Sequence, residues 1–249
     1  EKPFERKGGG IVTRLTSWKE VAAGMVLLSI GVRPDTALAK AAGLALGPRG
    51  GIAVNEFLQT SDPAIYAVGD AIEFTHPGTG GPVITFLAGP ANKQGRIAAD
   101  NIACGNRKKY SGSIATAVAK VFDLTVASTG ASEKLLAANR IPFQASITHS
   151  ASHATYYPGA RQMSIKLLFS PEGGVLLGGQ IVGYDGVDKR IDVLASHIGM
   201  KGTVGDLLSF DHAYAPPYSS AKDPVNMAGY VADNILSGMV KVLHWHDIP

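Results

Sequence analysis

The sequence predicts an α/β region followed by an α+β region with a mainly antiparallel sheet. Three observations carry this reading. Up to about residue 111, short apolar runs alternate with helix-forming segments. Beyond that point strand patterns follow one another, separated by short turns. Between the two lies the charge-rich GNRKKYSGS, residues 105–113, which reads as a boundary.

The composition sets limits first. With 249 residues, 45% of them hydrophobic and 17% charged, the chain can bury a core. Its formal net charge is +3 and its 23 basic residues are scattered, so there is no electrostatic footprint for nucleic acid or an acidic membrane. No apolar run approaches the roughly 18 to 20 residues that span a bilayer. The opening EKPFERKGG leads into no signal-peptide core, so a cytoplasmic location is the expectation. Cys104 is the single cysteine, which excludes an internal disulfide or a CxxC motif.

In chain order, residues 8–31 read as a strand, a turn and a second strand. Met25 to Ile30 form a continuous apolar run of the kind buried on both faces. No strand is expected before glycines 8 to 10, and the region reads as truncated. Residues 36–46 have helical composition behind the turn at Pro34 and Asp35, and stop near Gly43. Residues 51–70 give two short strands separated by TSDP. The second runs into IYAVGDA, residues 65–71, as the carboxyl end of a parallel strand, where Gly69 permits close approach and Asp70 faces a ligand. A helix follows over 84–105 with Pro90 in its first turn, Ile97, Ala98 and Ile102 apolar, and Lys93, Gln94 and Arg96 on its solvated side.

Beyond the boundary, residues 116–130, 142–150, 162–170 and 175–183 read as strands, with SPEGG turning between the last two. Helices are expected at 132–139, 188–199, 204–210 and 224–238. The pairs His149/His153 and His244/His246 lack an acidic or cysteine companion at a metal-binding spacing, so no metal site is expected. Cys104 reads as a buried structural thiol.

SIGVRPD (29–35), then TSDPAIYAVGDA (60–71), then a helix and a strand-rich module resemble the two-dinucleotide-domain flavoprotein disulfide reductases. The resemblance implies partial nicotinamide- and flavin-binding domains followed by a dimerisation domain. Gly31, Arg33 and Pro34 would connect the nicotinamide domain to the flavin domain. Gly69 would make room for FAD, and Asp70 would accept a hydrogen bond from its ribityl chain. Leu87, Ala88, Gly89, Pro90 and Ala91 would begin the helix beside the flavin ring, where free N–H groups and the positive dipole end stabilise negative charge.

HATYYPGA (153–160) and HAYAPPYSSAKDPVN (212–226) look most like coenzyme A disulfide reductase, including forms fused to a rhodanese domain. In that family a tyrosine from each stretch reaches across the dimer toward the partner's catalytic cysteine. Tyr157, or its neighbour Tyr156, and Tyr214 match those positions. A phenol suits the task, as a hydrogen-bond donor to a thiolate or an acid for a leaving thiol.

The implied division is 1–30 for the end of the nicotinamide-binding domain, 31–111 for the carboxyl part of the FAD-binding domain and 112–238 for the dimerisation domain. Residues 239–249 would start a linker to a further domain. An amino-terminal GxGxxG unit, the redox cysteine and the second glycine-rich unit are absent from this sequence. FAD and NAD(P)H are thus expected in a full-length enzyme, with CoA disulfide or persulfide as substrate and a homodimer as the assembly. This stretch alone is expected to be inactive and without FAD. The rivals are an NADH oxidase or peroxidase of the same superfamily and a non-catalytic dimerising scaffold.

Overall fold

The computed structural model describes residues 4–7 and 9–244. They form two compact units, one reaching to Arg33 and one beginning at Pro34.

The first unit is a three-stranded antiparallel sheet of β1 (Phe4–Lys7), β2 (Gly10–Arg14) and β3 (Glu20–Ala23), in that order. Two expectations are corrected here. A strand does precede the glycines, because β1 folds back on β2 with Glu5 opposite Val12. Met25 to Ile30 form no strand, and Met25 and Ile30 are 82% and 86% exposed. An apolar run becomes a strand only where a neighbour offers a ladder, and among the described residues none pairs with it.

The second unit starts with α1 (Ala37–Ala41), shorter than its composition predicts, with Asp35 accepting a hydrogen bond from the Ala37 amide. A small mixed sheet follows. β4 (Ile52–Ala53) runs parallel to β5 (Ile72–Thr75), and β6 (Pro82–Val83) runs antiparallel to β5. Ile65 to Val68 are extended but lie in no ladder, apart from a bridge between Tyr66 and Gln59, so the expected parallel strand is corrected. The helix expected over 84–105 starts later, as α2 (Ala88–Cys104). Leu58, Ile72, Phe74 and Ala98 pack as a local core, with the Tyr110 ring edge-on to Phe74 at 5.2 Å.

The strand-rich part matches its expectation except at 116–130, expected as one strand and found as two. Strands β7 (Ala117–Val121), β8 (Leu124–Gly130), β9 (Gln144–Ala151), β10 (Gln162–Phe169) and β11 (Leu176–Gly183) form one antiparallel sheet in the order β7-β8-β11-β10-β9. The first two are a tight hairpin turning at Phe122 and Asp123. Helices α3 (Glu133–Ala138), α4 (Val187–Gly199), α5 (Val204–Ser209) and α6 (Pro224–Leu236) complete it.

Alternation explains the core: Ile165, Leu167 and Phe169 of β10 point inward with Ile181 of β11, against Ile191 and Leu194 of α4 and Ala228 and Ala232 of α6. Gly179 lets α4 approach, since a Cβ there would lie 2.8 Å from the Leu194 side chain. Helix starts are locally encoded. Ser132 accepts from the Leu135 amide, Thr203 and Asp206 form a capping box, and Asp223 caps α6 ahead of Pro224.

Candidate functional site

Two groups of candidate residues stand out in the second unit. The first surrounds the VGD turn. Gly69 to Ala71 form a single 3₁₀ turn that packs against α2. Gly69 has φ +80, which a side chain would resist, and only the Ala91 Cβ, at 4.0 Å, approaches the place its own Cβ would occupy. The Gly69 amide donates to Gln94 Oε1 at 2.7 Å, and Gln94 Nε2 donates to the Tyr110 hydroxyl at 2.9 Å. Gln94 is 1% exposed, which corrects its placement on the solvated side. Burial pushes the Tyr110 hydroxyl pKa up, against the opposing hydrogen bond from Gln94.

Asp70 presents an exposed carboxylate with no hydrogen bond to any described residue. The start of α2 has no side-chain cap at Leu87, and its first residues, Ala88 and Gly89, are exposed. Pro90 and Ala91 complete that turn, where the missing proline N–H costs nothing. Pro34 is half-buried at the start of this unit. Gly31, with φ +74, and Arg33 are exposed residues of the first unit.

The second group joins two loops of the strand-rich part, one between β9 and β10 and one between α5 and α6. Tyr156 and Tyr214, 58 positions apart, place their hydroxyls 3.1 Å from each other. The hydrogen bond with Tyr214 raises the Tyr156 pKa. Tyr157 instead sets its ring edge against His153 at 5.7 Å. The Ala154 amide donates to the Ser219 carbonyl at 3.0 Å, tying the loops together.

Beneath them lies Arg190, fully buried on α4. Its Nε donates to both Asp223 oxygens at 3.1 and 3.2 Å, and its Nη2 reaches Asp223 Oδ2 at 2.9 Å and the Ser152 carbonyl at 2.8 Å. Burial pushes the Asp223 pKa up, but hydrogen bonds from Arg190, Ser219 and the Val225 amide outweigh it and hold the carboxyl below its ordinary range. His212 Nδ1 lies 3.8 Å from Asp223, and desolvation depresses the His212 pKa despite that carboxylate.

Sequence reasoning misplaced Gln94 and missed Arg190 and Asp223. The signal was present. Arg190 falls on the Val187, Ile191, Leu194 and Ile198 stripe of α4, and Asp223 precedes a helix-starting proline. Cys104 is exposed, not buried, because it sits in the last turn of α2 with nothing over it. Among the described residues no cluster of His, Cys, Asp or Glu has a metal-binding arrangement, and His246 lies outside those residues. No helix of the described residues is long and apolar enough to cross a membrane.

This pairing of a mixed dinucleotide-domain sheet with an antiparallel module defines a class, and the comparisons agree with it. Residues 2–98 match the family "Pyridine nucleotide-disulphide oxidoreductase", and residues 116–224 match its "dimerisation domain". The chain belongs to the pyridine nucleotide-disulphide oxidoreductases.

Within that family it is 38% identical over 204 residues to an NADH oxidase of Methanocaldococcus jannaschii, covering 82% of this chain and 45% of that one. It is 34% identical over 211 residues to the coenzyme A disulfide reductase of Staphylococcus haemolyticus, covering 85% and 48%. The structure of reduced Bacillus anthracis CoADR-RHD superimposes with a TM-score of 0.90 at 52% identity, covering 95% of this chain and 42% of that one. A NAD-dependent persulfide reductase from A. fulgidus gives 0.87 at 39% identity, covering 93% and 43%. The chain spans about half the length of the curated relatives it matches.

Proposed function

We propose that this chain supplies the flavin-side and dimer-forming part of an FAD- and NAD(P)H-dependent oxidoreductase that reduces coenzyme A disulfide or coenzyme A persulfide. The observation that carries the substrate reading is the meeting of Tyr156 and Tyr214 on two loops whose sequences resemble those of coenzyme A disulfide reductase. In this reading residues 1–30 end a nicotinamide-binding domain and 31–111 belong to an FAD-binding domain. Residues 112–238 form the dimerisation domain of a homodimer in the cytoplasm, and 239–249 begin a linker.

The residues present fit a flavin. A free carboxylate at Asp70 suits a hydroxyl-rich ribityl chain, and an uncapped start of α2 suits an electron-rich ring. Gly69, Asp70 and Leu87 to Ala91 would hold it, and Gly31, Arg33 and Pro34 would be the chain segment that connects the nicotinamide domain to the flavin domain. When bound, FAD supplies two-electron transfer between the nicotinamide and a thiol pair. The chain's own part is to orient that group through Asp70, to fix the turn through Gln94, and to present phenols to sulfur. The chain alone is expected to purify colourless, because it has no glycine-rich pyrophosphate loop.

A disulfide that accepts two electrons from NAD(P)H releases thiolates, and a neutral phenol stabilises a thiolate by donating a hydrogen bond. Tyr214, with Tyr156 or Tyr157, would act across the dimer on a cysteine outside this chain.

The competing reading, an NADH oxidase, draws support from the name of the M. jannaschii relative. Steady-state assays of the longer enzyme separate the two. Nicotinamide oxidation that depends on CoA disulfide or persulfide and proceeds anaerobically is expected. Oxidation that depends on oxygen and ignores both sulfur substrates would sink the proposal.

A further inference from the structure

Arg190 does more than neutralise Asp223. A buried ion pair is poor evidence for stability, because apolar side chains of similar volume often serve as well. What apolar side chains cannot do is bind several chain segments at fixed angles. A guanidinium presents five N–H donors in a rigid fork. Here they reach four places: the Gly186 carbonyl at 3.0 Å, the Ser152 carbonyl at 2.8 Å, the Ser219 hydroxyl at 3.4 Å and the Asp223 carboxylate.

Ser152 begins the loop that carries Tyr156, and Ser219 lies within the one that carries Tyr214. Ser219 Oγ also donates to Asp223, and Asp223 accepts from the Val225 amide to start α6. One side chain of α4 thus fastens both tyrosine loops and the helix that follows. Gly186 has φ +69, and a Cβ there would lie 2.4 Å from Arg190 Nη1, so the turn before α4 is shaped around this guanidinium.

We infer that Arg190 is a positioning residue: by holding Ser152, Ser219 and Asp223 together it sets the spacing at which the Tyr156 and Tyr214 hydroxyls meet. The inference rests on the reading of these tyrosines as donors to a CoA thiolate. It assigns Arg190 no contact with substrate. Lysine cannot replace it, since an ammonium carries the charge but not the fork.

The test uses Arg190→Lys and the double variant Arg190→Met with Asp223→Asn. The double variant avoids a lone buried charge and keeps a side chain able to cap α6. In the full 249-residue chain, amide exchange at Ala154, whose N–H holds the Ser219 carbonyl, is expected to rise about ten-fold or more in both variants. The ladder amides of Ile165 and Ile181 are expected to keep the parent's rates.

In the longer enzyme, the reaction with CoA disulfide is expected to slow about ten-fold or more while reduction of the flavin by nicotinamide does not change. Parent-like exchange at Ala154, or an equal rise at all three amides, overturns the positioning role, the second result because it signals general loss of stability. Parent-like rates in Tyr156→Phe and Tyr214→Phe overturn the reading on which it rests. The two failures are told apart because the exchange experiment involves no substrate.

Discussion

Strands β8, β10 and β11 carry seven or eight residues each and have a neighbour on both sides, whereas the strands before residue 84 carry two to five and the run Met25 to Ile30 joins no ladder. The apolar residues follow suit. Leu167, Phe169, Ile181 and Leu194 are fully buried within the strand-rich part, while Leu27 is 85% exposed. The strand-rich part buries a continuous apolar core with its own residues. The earlier run leaves an apolar surface of the kind that usually marks a contact with other protein. In the enzyme proposed here that contact is the rest of the nicotinamide-binding domain.

The largest effect that sharpens this contrast is expected from Leu194→Ala, which empties a site between α4 and Gly179 and should cost about 2 to 5 kcal/mol in urea unfolding. A cost near zero would mean that the strand-rich core is not closed as described.

Gln94→Leu comes next. It removes the acceptor for the Gly69 amide and the donor to Tyr110, a loss of about 1 to 3 kcal/mol felt around the VGD turn. Amide exchange should rise at Gly69 and stay unchanged in β10 and β11. A rise spread through the sheet would join two regions that are here kept apart.

A smaller effect comes from pH. His76, before α2, and His212, in the strand-rich part, both have pKa values lowered by desolvation. The unfolded chain therefore takes up protons first as pH falls below about 6.5, so folded stability is greatest above that value and declines as pH drops. Asp223, whose pKa is also lowered, adds a contribution present above the ordinary carboxylate range and lost as pH falls through its folded value. Urea midpoints should stay level from pH 8 to about 6.5 and fall from there to pH 5, with a shallower fall in His212→Asn. A flat profile would contradict the buried neutral imidazoles. The smallest effect is expected from Leu27→Ala, within about 0.5 kcal/mol of the parent.

What the sequence made legible follows the same division. Alternation over β9, β10 and β11 reads correctly because each strand meets its partners inside the chain. The runs Met25 to Ile30 and Ile65 to Val68 have the same β-forming composition but no adjacent ladder, and pairing is decided by neighbours, not by composition. Gln94 lies between Lys93 and Arg96 and reads as solvated, yet it shares a buried face with Ala98 and Asn101 at helical spacing. The tyrosine loops were legible as motifs. Their meeting point was not, because the choice between Tyr156 and Tyr157 depends on how the loop leaves β9.

The account turns on the two phenols, and a stopped-flow separation of half-reactions in the longer enzyme tests them most directly. Tyr214→Phe and Tyr156→Phe should each slow the step with CoA disulfide or persulfide by about ten- to a hundred-fold, as the loss of one hydrogen bond to a charged sulfur implies. Flavin reduction by nicotinamide should keep its rate. Tyr157→Phe measures whether the phenol that faces His153 takes any part. If the Tyr214 and Tyr156 variants both reduce the sulfur substrate at the parent's rate, these tyrosines only fill an interface and the assignment to CoA chemistry loses its support.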